Sequence, residues 1–258
     1  MSERILTRPG AQVAYSVEGS GPVVMSAHGL SASRAAAEAA GMSFAGLSGR
    51  GRTVVAYDAR GHGQSSGRLI PSDYSWSNLS RDMLALIDEV SPDHSVDAVG
   101  ASMGCATILY SVIAAPERFR RLVLVIPPTA WETRAMIASG YELQAELIET
   151  QGLDAFLEVA AGYPNPPAMP PELVMRPDVA EELLPTVFRG AALSDFPSAD
   201  DIEGIRQPVL ILAWAGDPGH PVSTSEKLVA LLPQAELHIA QSPDDVAKWV
   251  ELADVFLG

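Results

Sequence analysis

Gly100-Ala101-Ser102-Met103-Gly104 joins an apolar run, Val96–Gly100, to a stretch of helical spacing, Gly104–Ala114, with no loop between them. A chain passes from strand to helix this abruptly only through a very sharp turn. Glycines on both flanks of the turn let neighbouring backbone approach without a Cβ clash. A hydroxyl at the apex then stands at the carboxyl end of the strand and above a helix N-terminus, where an oxyanion is favoured. The five residues match the G-x-S-x-G pattern, and the strand-turn-helix setting gives the pattern meaning.

The surrounding segments agree with that setting. Gln12–Glu18 alternates as a strand, and Val23–Ala27, Thr53–Tyr57 and Leu122–Ile126 are short apolar or β-branched runs. Between them, Ser33–Leu47 is alanine-rich and Asn78–Val90 has apolar residues at helical spacing. Continuous apolar strands alternating with helices predict a mostly parallel sheet covered on both faces. The alternation fails over Trp131–Arg206, which has helical stretches, a proline-rich middle (Gly162–Glu172) and no convincing strand. It resumes with a strand at Val209–Ala213, a helix at Thr224–Leu232, a strand at Glu236–Ala240 and a helix at Asp244–Phe256. The expected organisation is therefore a core of residues 1–128 and 207–258 with residues 129–206 inserted as a helical lid. Ligands bind beyond the carboxyl ends of strands in open α/β sheets, where such an insertion would cover them.

Composition narrows the partners. The formal net charge of −15 disfavours phosphate backbones and anionic lipid. No run approaches the roughly 20 apolar residues of a membrane span, and Met1–Gly10 has no apolar core of a signal peptide. A single cysteine, Cys105, excludes an internal disulfide and fits a cytoplasmic setting. No metal-ligand spacing occurs, and Gly49-Arg50-Gly51 lies between a helix and a strand, the wrong context for a dinucleotide. The expected partner is a small-molecule substrate, with no cofactor, no nucleic acid and no membrane; the oligomeric state stays open.

His28-Gly29-Leu30 follows one strand and Asp58-Ala59-Arg60-Gly61-His62-Gly63-Gln64-Ser65 follows another. With the Ser102 turn, these stretches resemble the α/β-hydrolase family, whose members carry H-G and D-x-R-G-x-G-x-S at those places. The resemblance implies an α/β-hydrolase fold: a mostly parallel eight-stranded sheet, helices on both faces and a lid after strand six. It implies Ser102 as nucleophile, with the backbone N–H groups of Leu30 and Met103 as the oxyanion hole. It gives His28 and His62 loop-shaping roles, and Cys105 a packing role behind the turn. Leu30, Met103, Trp214 and Trp131 are expected around the substrate. The family's acid falls on Asp217, four residues before Pro221.

The family's base sits in the loop after the last strand. Here that loop reads Ala240-Gln241-Ser242-Pro243-Asp244-Asp245, and neither Gln241 nor Ser242 takes a proton from serine at neutral pH. His220, in the acid loop, is the expected replacement. His238 is the alternative, although strand alternation puts it beside Glu236 on a solvated face. Glu132 is a second candidate acid, with an ion pair to Arg134 as its plain alternative. Met136, Ile137, Tyr141, Leu143, Leu147 and Phe156 either line a lid pocket or pack the lid itself. The expected activity is cleavage of a small ester, lactone or related acyl compound through an acyl-enzyme. The alternative is a ligand-binding protein of the same fold that lacks turnover. A dehalogenase would need a carboxylate where Ser102 stands.

Overall fold

The computed structural model describes residues 3–171, 173 and 175–258; Met1, Ser2, Val174 and Glu172, the last residue of the proline-rich stretch, lie outside them. Eight strands form one sheet in the order β1-β2-β4-β3-β5-β6-β7-β8. β1 (Arg4–Arg8) and β2 (Ala11–Gly19) form an antiparallel hairpin, and β2 pairs antiparallel with β4 (Thr53–Tyr57). β3 (Val23–Ala27), β5 (Val96–Ala101), β6 (Phe119–Val125), β7 (Val209–Trp214) and β8 (Ala235–Ala240) complete the sheet, parallel to one another and to β4. The expected eight-stranded, mostly parallel α/β-hydrolase architecture is the one found.

Alternation divides the strand side chains between two apolar layers. Met25, Val55, Ala98, Leu122 and Ile211 face α2 (Trp76–Val90), α3 (Met103–Ala114) and α7 (Val222–Leu231). Val24, Val54, Val99, Val123 and Leu210 face Phe44 and Leu47, and α9 (Trp249–Leu257) through Trp249, Ala253 and Leu257. Three expectations change. The helix expected over Ser33–Leu47 is only α1 (Arg34–Ala39), because Gly41 turns left-handed at φ 69° and the chain re-enters as a 3-10 turn over Ala45–Arg50. The single helix expected over Asp244–Phe256 is two, α8 (Pro243–Val246) and α9. The strand expected at Leu122–Ile126 starts earlier and stops at Val125, since Ile126 has φ 45°.

Between β6 and β7 come α4 (Arg134–Ala161), broken at Gly152 (φ 85°), then α5 (Leu184–Ala192) and α6 (Ala199–Glu203). α4 and α5 share a small apolar layer of Ala145, Ile148, Leu184, Val187 and Phe188. Arg134 fastens them: its guanidinium donates to the carbonyls of Ser194 (2.7 Å) and Ala191 (2.6 Å), and lies 4.2 Å from the Trp76 ring centroid. Among the described residues no helix is long and apolar enough to cross a membrane.

Candidate active site

Ser102 sits between β5 and α3 at φ 51°, ψ −111°. A non-glycine residue held there costs of order 1–3 kcal/mol, so the surroundings must enforce it. They do so by close approach. A Cβ on Gly100 would lie 2.5 Å from the Gly104 carbonyl oxygen, and one on Gly104 would lie 2.5 Å from that of Ala27. The Ser102 N–H donates to Val125 O at 2.9 Å and fixes the turn to the neighbouring strand. Cys105 is buried behind it with Sγ 3.0 Å from Gly100 O; burial pushes its thiol up, away from nucleophilic use.

The loop after β7 reaches the hydroxyl. His220 Nε2 is 2.8 Å from Ser102 Oγ, and His220 Nδ1 is 2.8 Å from Asp217 Oδ2. Asp217 Oδ2 also accepts from the Trp214 indole (2.9 Å), and its Oδ1 accepts from the Gly219 N–H (2.8 Å). Burial pulls the Asp217 carboxyl upward, but the bonds and charge of His220, the Gly219 amide and the indole outweigh it and hold it down at about 2. Asp217 is thus ionised. Its bond takes the proton on Nδ1 and leaves the Nε2 lone pair for the hydroxyl. The Gly219 carbonyl accepts from the Thr129 N–H at 3.0 Å, tying the loop to the end of β6.

The structure brings Ser102, Asp217 and His220 together and leaves the other candidates apart. His238 is exposed on β8 and does not border the cavity at Ser102. Glu132 has an 81 % exposed side chain paired with Lys227 at 3.0 Å, so the expected pair with Arg134 is not made. His28 and His62 hold loops. His28 Nε2 accepts from the Ala59 N–H (2.9 Å) while Nδ1 donates to Gly29 O (2.7 Å). His62 Nδ1 donates to Arg60 O at 2.9 Å, and burial lowers its pKa to about 3. The D-x-R-G-x-G-x-S stretch is likewise scaffold. Asp58 accepts from the Arg34 and Gln64 amides, Arg60 pairs with Asp82 through two bonds of 2.7 and 2.8 Å, and Ser65 bridges Ala14 to Asp58.

Two of the four expected substrate contacts need correction. Leu30 and Trp214 border the cavity, but the side chain of Met103 is buried in the core layer under α3. Trp131 turns its ring edge-on to Phe196, 5.9 Å away between centroids, and does not reach the cavity. The backbone positions of Leu30 and Met103 remain apt. Neither amide donates to a loop or cap acceptor among the described residues, and Met103 opens a helix whose first amides lack internal partners. A Cβ on Gly29 would stand 3.3 Å from Ser102 Cβ, so the loop after β3 passes directly beside the serine.

The cavity around Ser102 encloses about 760 Å³. The apolar residues expected of a lid pocket do not line it. Met136 and Leu143 are exposed, while Tyr141 and Phe156 pack on Phe188. The inserted segment contributes instead through its irregular part: Asn165, Pro166, Met169, Met175 and Asp178. Pro167 lies so near Gly216 that a Cβ there would be 2.9 Å from its ring, which sets the proline-rich stretch against the Asp217 loop. The floor residues Ser16, Ser26 and Ala56 were not legible from the sequence; their only signal is one small residue on each of three strands, and the register that aligns them appears in the sheet.

A sharp serine turn, a histidine and a carboxylate at the carboxyl edge of such a sheet define the class of α/β hydrolases. The chain belongs to the alpha/beta hydrolase family, whose model matches residues 23–254. It is 28 % identical over 200 residues to 3-oxoadipate enol-lactonase 2 of Acinetobacter baylyi, covering 73 % of this chain and 70 % of that one. It is 27 % identical over 209 residues to a 2-(acetamidomethylene)succinate hydrolase of Mesorhizobium japonicum, covering 76 % and 71 %. In structure it is similar to a hydrolase from Pseudomonas aeruginosa, with TM-score 0.82, 23 % identity and 99 % and 98 % of the two chains covered.

Proposed function

We propose that the protein is a serine hydrolase of small esters, lactones or related acyl compounds. The observation that carries this reading is the continuous bond from Asp217 through His220 to Ser102 Oγ, with both distances 2.8 Å. The similarity to an enol-lactonase supports the ester and lactone class.

In this reading Ser102 Oγ attacks the substrate carbonyl while His220 Nε2 takes its proton. The carbonyl oxygen becomes an oxyanion held by the Leu30 and Met103 N–H groups; one such donor contributes about 3 kcal/mol. His220 then passes its proton to the leaving oxygen, and the C–O bond breaks to leave an acyl-serine. A water loses its proton to His220 and attacks the acyl carbon. Ser102 departs and recovers the proton. Asp217 orients the imidazole and stabilises its cation throughout. The non-catalytic alternative drew on the missing base, and His220 within bonding distance of the hydroxyl supports turnover over it. The reading extends to residues 129–206 acting as a lid, through the Asn165–Asp178 stretch. It also extends to a cytoplasmic setting, in keeping with one buried thiol.

Fluorophosphonate labelling followed by peptide mapping tests it. The expected result is one adduct on Ser102, absent from Ser102→Ala. A wild-type protein that takes no label contradicts the reading.

A further inference from the structure

The cavity at Ser102 does not end under the inserted segment. It continues down the sheet, over β3, β4 and β2 and beneath α1. On this face the lower row of side chains, Val24 and Val54, is packed by Phe44 and Leu47. Two residues further up, the row that crosses the strands in register is Ser16, Ala56 and Ser26. The helix above it borders the cavity with Arg34, Ala35, Ala37 and Glu38 and buries none of its residues. The small side chains of the strand row, with Ala35 and Ala37 on the helix, leave room for an arm of the cavity. Ser16 borders that arm at 7 % exposure.

Charge at the arm restricts the occupant. Its one arginine, Arg34, pairs through Nη2 with Asp58 at 3.0 Å and Glu3 at 3.6 Å, while its buried Nε has no partner among the described residues. Glu18 and Glu38 border the arm without a cation of their own among the described residues. An anionic tail would face unpaired carboxylates. Direction assigns the arm to one half of the substrate. The sheet order puts β3, β4 and β2 on one side of β5, and β7 with His220 on the other. The leaving oxygen must receive its proton from His220, so the acyl half extends the opposite way.

Resting on the hydrolase reading above, we infer that the arm beneath α1 is the acyl pocket and that it takes an uncharged acyl chain.

The test compares p-nitrophenyl octanoate, p-nitrophenyl acetate and the mono-p-nitrophenyl ester of suberic acid, with rates expressed per serine titrated by fluorophosphonate. Ala56→Leu fills the arm from the sheet and Ala37→Leu from the helix, so a folding defect in the strand variant leaves the helix one to decide. Each is expected to lower the octanoate-to-acetate ratio of kcat/KM by about tenfold or more. The wild type is expected to prefer octanoate over the equally long suberate ester by about tenfold. Ratios unchanged in both variants, or suberate cleaved as well as octanoate, overturn the inference and leave the hydrolase reading standing. A wild type that titrates no serine and cleaves none of the three esters removes both.

Discussion

Asp217 and His220 are three residues apart, so carboxylate and imidazole share one loop. The Gly219 amide and the Trp214 indole hold the carboxylate, and the carboxylate holds the imidazole. Asp217→Asn would keep the shape and release the tautomer; kcat is expected to fall by about 10³–10⁴ in steady-state ester hydrolysis. Glu132, paired with Lys227 at the surface, is expected to tolerate Glu132→Gln with kcat/KM within about twofold, since exposed pairs contribute little. The sharp turn at Ser102 and the loop that brings Asp217 and His220 beside it were legible at this scale, because each sits in a short pattern with its own local chemistry. Met103 and Trp131 misled because a sequence position next to the site does not say which way a side chain points. α3 turns Met103 into the core, and Phe196 takes the Trp131 ring.

Among the elements, the strands read well because buried parallel strands are continuous apolar runs. Helix lengths read less well: Gly41 and Gly152 each take a left-handed conformation inside alanine-rich or helical sequence, and spacing does not reveal that. β1 has no apolar run of its own and exists through its pairing with β2. The α4–α5 unit depends on Arg134, a charged residue buried between aromatic rings and two carbonyls. Arg134→Met removes two charge-assisted bonds and two cation–π contacts, and urea unfolding is expected to show a loss of roughly 3 kcal/mol. A loss under about 0.5 kcal/mol would mean that apolar packing alone joins these helices.

For the molecule as a whole, the buried histidines couple folding to pH. His28 and His62 have lowered pKa values in the fold, by desolvation first, while in the unfolded chain they take up protons near pH 6.5. The unfolded state then binds more protons, so stability falls as pH drops below about 6.5, by up to about 1.4 kcal/mol per pH unit for each histidine. Asp217 adds to the loss lower down: its carboxyl is depressed to about 2, so its contribution is present above pH 4 and fades between about 4 and 2. Equilibrium unfolding across pH 4 to 7 is expected to show a steep slope that flattens in His62→Asn; an unchanged slope would place the coupling elsewhere.

In the proposed mechanism His220 does the work of the histidine missing after β8. This role is tested most directly by ester hydrolysis with His220→Ala and His238→Ala, with and without free imidazole. His220→Ala is expected to lose about 10²–10⁴ in kcat and to recover part of it with imidazole, while His238→Ala retains wild-type rates. Full activity in His220→Ala, or its loss in His238→Ala, would contradict the account.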